Sequence, residues 1–105
     1  MRRIDASDFR GKPQNYVAEL SVTTEELEGL WGPNEVTWDD LGPWFTFAFA
    51  LSDGILAALV REVENAPNPG YILTAIGESP LADILEAFLR ESGFDAGRVQ
   101  RRGFE

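Results

Sequence analysis

The sequence predicts a single small α+β domain, with an antiparallel or mixed sheet of about four strands and two helices packed on one face. The chain has 105 residues and 44% hydrophobic content, which are typical of one globular domain. Several short segments alternate apolar and polar residues with the period of a strand. Two other segments carry an apolar helical stripe between a start signal and a glycine.

Composition divides the chain into three parts. Residues 1–14 mix charges with glycine and proline and show no clear period, so we expect a flexible N-terminal arm. Residues 15–94 hold the segments with a regular pattern and form the predicted globular domain. Residues 95–105 carry several arginines and are expected to form a basic tail or an edge strand.

Three segments have the pattern of a strand, namely residues 15–22, 44–51 and 71–76. The clearest is 44–51, where phenylalanines recur at alternate positions and should face the core. The opposite side of this strand carries small residues, including Ala48 and Ala50. We therefore expect another element to pack closely on that side.

Residues 55–63 fit two structures. The Ser-Asp-Gly triplet at 52–54 is typical of a β-hairpin, and 55–63 would then be the returning strand. The apolar residues of this segment also fall on one helical face, which would move the class towards α/β. The hairpin is slightly favoured, because no natural helix stop follows until Pro67.

The first helix is predicted at residues 24–31. Thr23 and Glu26 have the spacing of a capping box, and a Gly-Pro pair follows the helix as a stop signal. The same signals recur at once, with a second N-cap at Thr37 and a second Gly-Pro pair after it. The pattern therefore predicts a short helical turn at 37–40.

The second helix has the strongest pattern and is predicted at residues 80–92. Ser79 is its expected N-cap, with a proline at the first helical position, and Gly93 is its expected stop. Glu86 and Arg90 have the spacing of an ion pair on its outer face. An apolar stripe on the inner face should pack against the sheet.

Composition excludes most catalytic machinery. The chain has no histidine and no cysteine, which removes the usual general base, the Ser-His-Asp triad, thiol nucleophiles and the usual zinc ligands. The single lysine, Lys12, lies in no phosphate-binding motif. No pair of carboxylates has a neighbour placed to separate their pKa values. We therefore predict no enzyme, no cofactor and no metal site.

The net charge of −9 is unevenly distributed. Residues 13–89 contain 13 acidic residues and a single basic one, Arg61, whereas both ends of the chain carry arginines. Such a field repels nucleic acid and anionic membranes and attracts basic surfaces. Two roles are open for it: it only keeps the protein soluble, which is slightly favoured, or it attracts a basic partner. The arginines at the ends are expected to neutralise the acidic body rather than to bind phosphates.

The expected location is cytoplasmic. No apolar run approaches the ~18–20 residues of a membrane span. The N-terminal residues include arginines but no hydrophobic stretch after them, unlike a secretory signal.

All three tryptophans lie between residues 30 and 44, a segment that also holds both helix-stop pairs. Trp31 lies on the apolar face of the first predicted helix and is expected in the core. Trp38 is the aromatic residue most expected to be exposed, because it lies in a loop-like turn between polar residues. It fits two roles, a lid packed back on the fold, which is slightly favoured, or an anchor for a partner. The candidate partner-binding residues are Trp38 and the acidic residues Glu25, Glu26, Glu28, Glu35, Asp39 and Asp40.

These observations favour a small acidic, non-catalytic protein-binding module. The concrete hypothesis is an inhibitor of the immunity, antitoxin or anti-defence type, which occludes a basic site on a nuclease or another nucleic-acid enzyme. The first alternative is a self-assembling scaffold subunit that forms a homodimer through a strand edge or through residues 94–104. The second is a small-ligand-binding domain with a pocket near Ala48 and Ala50.

Overall fold

A computed structural model describes residues 1–65 and 70–104 of the chain. Over these residues the fold is a seven-stranded antiparallel sheet with two α-helices, so the α+β class is confirmed. The expected strand number of about four is too low. The strands and helices are β1 (Arg2–Ile4), β2 (Asn15–Leu20), α1 (Thr24–Trp31), β3 (Glu35–Asp39), β4 (Gly42–Ala50), β5 (Leu56–Glu62), β6 (Tyr71–Ala75), α2 (Leu81–Ser92) and β7 (Val99–Arg102).

The strand order across the sheet is β1-β4-β5-β6-β2-β7, and β3 also pairs with β4. β1 pairs with one half of β4, at Ala48–Ala50, and β3 pairs with the other half, from Gly42 to Thr46. Because β5 occupies the second edge of β4, β1 and β3 lie in line along the same outer edge of the sheet. The sequence analysis missed β1 and β3 because three to five residues are too few to show a period.

Residues 55–63 form a strand over most of their length, as the hairpin interpretation predicts. β5 pairs with β4 from Leu56 opposite Ala50 to Glu62 opposite Trp44. In the connecting turn, Gly54 has a φ of 89°, a value that side-chain-bearing residues rarely adopt. The helical alternative fails because both edges of this segment are needed for pairing, with β4 on one side and β6 on the other.

The helical turn predicted at 37–40 is wrong. This segment is the end of β3 and the start of a tight hairpin, in which Asp39 pairs with Gly42 across a two-residue turn. The Asp39 Oδ1 atom accepts a hydrogen bond of 2.8 Å from the Leu41 N–H. The aspartate therefore stabilises a turn rather than a helix, and pairing with β4 outweighs the local capping signal.

Both α-helices pack on the face of the sheet that carries Phe47, Phe49 and Tyr71, all fully buried. The predicted capping box of α1 is confirmed: Glu26 N–H donates to Thr23 Oγ1 at 3.1 Å, and Thr23 N–H donates to Glu26 Oε1 at 3.2 Å. At the other end of the helix the Trp31 ring packs edge-on against Phe49, with ring centroids 5.0 Å apart. Trp31 is thus partly buried and packs against the edge of the hydrophobic core.

The second helix starts one residue later than predicted. Pro80, and not Ser79, is its N-cap, and the Pro80 carbonyl accepts hydrogen bonds from the N–H groups of Asp83 and Ile84. A proline can hold this position because it loses no helical donor there. The helix ends as expected at Gly93, whose φ is 80°.

The second face of the sheet carries small residues, and a short element packs on part of it as predicted. This element is a 3-10 helix, Ala6–Phe9, whose Ala6 and Phe9 form a second buried cluster with Ala48 and Ala58. Residues 1–14 thus contribute β1 and this 3-10 helix, and residues 95–105 contribute β7 at the far edge. The division into arm, body and tail stays a prediction.

Neither helix in the described ranges, 1–65 and 70–104, combines the length and hydrophobicity that crossing a membrane requires.

Candidate functional site

The β3–β4 hairpin presents apolar side chains to solvent. Trp38 is 75% exposed, Leu41 78% and Val36 50%. Trp38 therefore does not fold back onto the domain as a lid, the role that the sequence slightly favoured, and the alternative of an exposed side chain is correct. The exposure of Leu41 and Val36 is not predictable from the local pattern, which indicates a helical turn at 37–40 and not a hairpin.

Strand register explains why these side chains are uncovered. Val36 lies opposite Phe45 and Trp38 lies opposite Pro43, so both point to the helix-covered side of the sheet. Neither of the two residues packs against the buried clusters, whereas Phe45 does. The hairpin extends the sheet beyond the area that the helices cover.

Two of the predicted acidic residues flank Trp38 directly. Asp39 and Asp40 are exposed at the tip of the hairpin, next to Trp38 and Leu41. The Asp39 carboxylate holds the turn through Leu41 N–H and keeps further acceptor positions. Exposed apolar and acidic groups thus share the hairpin tip.

Glu35, at the opposite end of β3, joins the hairpin to the N-terminal segment. Its two carboxylate oxygens lie 3.1 and 3.2 Å from the Ala6 N–H, which donates to them. The Arg3 guanidinium lies 4.0 Å from the same carboxylate. Glu35 therefore fixes the Ala6–Phe9 helix beside β3, in addition to contributing charge.

The three predicted acids on α1 serve different purposes. Glu26 completes the capping box and also receives the Arg98 guanidinium at 2.7 Å, and this hydrogen bond holds the pKa of its carboxyl below the ordinary value. Glu28 accepts from the backbone and side-chain amides of Asn34, at 3.1 and 3.0 Å. Glu25 is exposed in the first turn. Two of these three carboxylates are thus engaged within the fold.

A groove of about 560 Å³ lies on the other face of the sheet, between the Ala6–Phe9 helix and the β3–β4 hairpin. Its floor includes Thr46, Ala58 and Val60. The other lining residues are Asp5, Ala6, Ser7, Phe9, Arg10, Gln14, Glu35, Val36, Thr37, Trp38, Asp39 and Trp44. The lining carries three carboxylates against one guanidinium, so it is acidic like the chain as a whole.

The groove brings together Glu35, Trp38 and Asp39 from the predicted set, whereas Glu25, Glu26, Glu28 and Asp40 do not line it. This groove lies further along β4 than Ala48 and Ala50, and the Ala6–Phe9 helix packs against Ala48. A smaller depression borders Ala50. Strand-edge pairing between distant segments creates the groove, so no local pattern could have located it.

Trp44 is one of the aromatic residues that line the groove. Its indole Nε1 is buried and has no hydrogen-bond partner within residues 1–65 and 70–104. A buried indole donor ordinarily finds an acceptor. In the same part of the chain, no group of three or more acidic side chains is arranged to hold a metal ion.

Comparison with known proteins identifies no relative of this chain: no family model matches it, and neither a curated protein nor a solved structure matches it significantly. The functional argument therefore depends on the geometry of the hairpin and the groove.

Proposed function

We propose that this protein is a small acidic, non-catalytic binding module that docks its β3–β4 hairpin on a basic protein and occludes the surface beneath. The observation that carries the proposal is the exposure of Trp38, 75% of whose surface is open to solvent beside two exposed aspartates. A large exposed aromatic with a polar rim is typical of an interface anchor.

The energy available from this anchor is substantial. A tryptophan side chain presents roughly 150–250 Å² of surface. Burying the exposed part of it at about 25 cal/mol per Å² would contribute roughly 3–5 kcal/mol to binding. Leu41 and Val36 would add to the apolar contact. A hairpin with these residues can therefore act as the energetic centre of an interface.

Charge identifies the class of partner. With a net charge of −9, the protein should be drawn to a basic surface, and this attraction raises the association rate more than the affinity. Enzymes that act on nucleic acids carry such surfaces. We therefore propose an inhibitor of the immunity, antitoxin or anti-defence type that acts in the cytoplasm on a nuclease or a related enzyme.

The test is affinity capture from a lysate of the native host, eluted with a salt gradient, followed by binding measurements on each purified partner. Trp38→Ala and Asp40→Lys variants should each lose the partner, and wild-type binding should weaken as salt increases. Asp39 is left unchanged because it holds the turn.

The matched control is Asp83→Lys, which makes the same change of charge on the exposed side of α2. If Asp83→Lys keeps the partner and Asp40→Lys loses it, the hairpin is the binding surface. If both lysine variants keep the partner at all salt concentrations, the proposal is wrong.

The groove supports a second candidate function, the binding of a small molecule. Its volume of about 560 Å³ is within the range of ligand sites. One of its lining residues, Trp44, has an indole N–H without a hydrogen-bond partner among the described residues. Native mass spectrometry of protein purified from its host would show a bound molecule if this function is correct. Substitution of Val60, a partly exposed residue of the groove floor, by Trp should then remove it.

A further inference from the structure

We infer that the outer edge of β3 is the docking site for an extended basic segment of the partner, which adds to the sheet as a further antiparallel strand. The inference rests on the proposed function and specifies how the hairpin recognises its partner. It follows from three features of β3: backbone groups that face away from the sheet, an edge that no described strand covers, and the alternation of acidic and apolar side chains.

The backbone of β3 has hydrogen-bonding groups directed away from the sheet. Asp39 and Gly42 flank a two-residue turn, so they form a hydrogen-bonded pair, and such pairs alternate along the ladder. Val36 and Trp38 therefore occupy the positions that do not bond to β4, and their N–H and C=O groups face outwards. Pro43, opposite Trp38, agrees with this pattern because it has no N–H to donate.

This edge is open and carries no basic side chain or proline. No strand within residues 1–65 and 70–104 pairs with the outer side of β3. Natural proteins protect exposed edges with charged side chains, especially lysine, or with prolines. The neighbouring edge strand β1 carries Arg2 and Arg3, and β7 at the far edge carries Arg101 and Arg102. β3 instead exposes Val36 and Trp38.

The two faces of β3 indicate what the added strand should contain. Glu35, Thr37 and Asp39 lie on the groove side, opposite Thr46, Trp44 and Gly42. The side chains of Val36 and Trp38 alternate to the other side, although both residues also border the groove. A complementary strand would therefore alternate basic residues, facing Glu35 and Asp39, with apolar residues, facing Val36 and Trp38. This is the alternation of β-strand addition, in which backbone bonds supply affinity and alternate side chains supply specificity.

A second copy of this chain fits the edge less well than a basic partner does. If β3 paired with β3 of another copy, Glu35 and Asp39 would face acidic residues of the same kind, and like charges directly opposite one another are destabilising. Each copy also carries a net charge of −9. An oligomer that persists at high salt, measured by light scattering, would overturn the assignment of the edge to a basic partner.

The direct test uses a synthetic peptide, KVKVKVK, and the intact protein. Amide hydrogen exchange should slow by about tenfold or more at Val36 and Trp38 when the peptide is bound, because new hydrogen bonds protect these two N–H groups. The peptide KKVVVKK has the same composition and charge but no alternation, and it should bind at least about tenfold more weakly. Equal binding of the two peptides would overturn the inference.

Backbone methylation of the peptide isolates the hydrogen bonds without altering the protein. In an antiparallel addition the peptide valines lie directly opposite Val36 and Trp38, so N-methylation of the valines should abolish binding. N-methylation of the lysines, whose N–H groups face away from β3, should leave binding largely intact. The reverse result, or no difference, would contradict antiparallel addition.

A protein variant gives independent evidence. Val36→Pro removes one outward donor but no bond to β4 and no charge, so it should weaken peptide binding by about tenfold or more. Val36→Ala is the matched control and should bind more nearly as the wild type does. If the peptide binds in a salt-sensitive manner but tolerates Val36→Pro and valine methylation, then the acidic surface does bind a basic partner but strand addition is wrong. If it does not bind at all, strand addition by a basic segment is wrong, whereas the proposed function is decided separately by the Asp40→Lys variant and its partner.

Discussion

The Arg98 guanidinium donates to both carboxylate oxygens of Glu26, at 3.1 and 2.7 Å, across 72 positions of the sequence. The same Glu26 closes the capping box of α1 with Thr23. One carboxylate thus links the start of a helix to the segment that leads into β7. This arrangement makes Glu26 a structural residue, unlike the exposed acids of the hairpin.

Substitution of Glu26 by alanine should lower the free energy of unfolding by about 1 kcal/mol. Loss of the reciprocal cap accounts for most of this change. The ion pair with Arg98 adds only a little, because both side chains are more than a third exposed and water screens them. Urea denaturation measures the difference. Glu25→Ala, one residue away and exposed, should change stability by less than about 0.5 kcal/mol.

The stabilising effect of Glu26 should depend on pH. The hydrogen bond from Arg98 is the largest cause of the lowered pKa of this carboxyl, whose ordinary value is 4.5. A lowered folded-state pKa contributes stability that is fully present above the ordinary pKa and is lost as pH falls through the folded one. The stability difference between wild type and Glu26→Gln should therefore be constant near neutral pH and shrink below about pH 4.5. A difference that grows on acidification would contradict this assignment.

Trp38→Ala should leave stability almost unchanged while it removes partner binding. Because Trp38 is 75% exposed and packs against neither buried cluster, we expect the free energy of unfolding to change by less than about 0.5 kcal/mol. Phe49→Ala is the contrasting variant, since Phe49 is fully buried, and it should cost about 3–5 kcal/mol. Thermal and urea denaturation of both variants give the comparison. A large loss of stability in Trp38→Ala would mean that the side chain has a structural role.

Gly103→Ala should destabilise the end of the sheet at β7. Gly103 N–H donates to the Val17 carbonyl at 2.8 Å, and an added Cβ would lie 2.6 Å from the Tyr16 carbonyl oxygen and closer still to its ring. This crowding should cost about 1–3 kcal/mol. Gly97→Ala is the control, because its added Cβ meets nothing nearer than 3.8 Å, in Asp95. Equal stability of the two variants would refute the close approach of Gly103 to Tyr16.

Elements with a complete local signal could be predicted from the sequence. The Thr23–Glu26 capping box located α1, and the alternating phenylalanines located β4 and its buried side. The exposure of Trp38 was not decided by the sequence, because polar neighbours fit both a lid packed on the fold and an exposed anchor. Signals that depend on a single residue were less reliable. Ser79 was the expected N-cap of α2, but the N-cap is the next residue, Pro80.

Residue types and short-range periods were sufficient to predict the α+β class, the two helices and the central strand, and to rule out histidine and cysteine chemistry. Contacts between distant segments place residues 37–40 in a hairpin, pair Glu26 with Arg98, and set the Ala6–Phe9 helix beside an acidic groove. These features arise from pairing between segments far apart in the chain. The free energy of such pairing depends on the partner segment, and no local pattern records which partner that is.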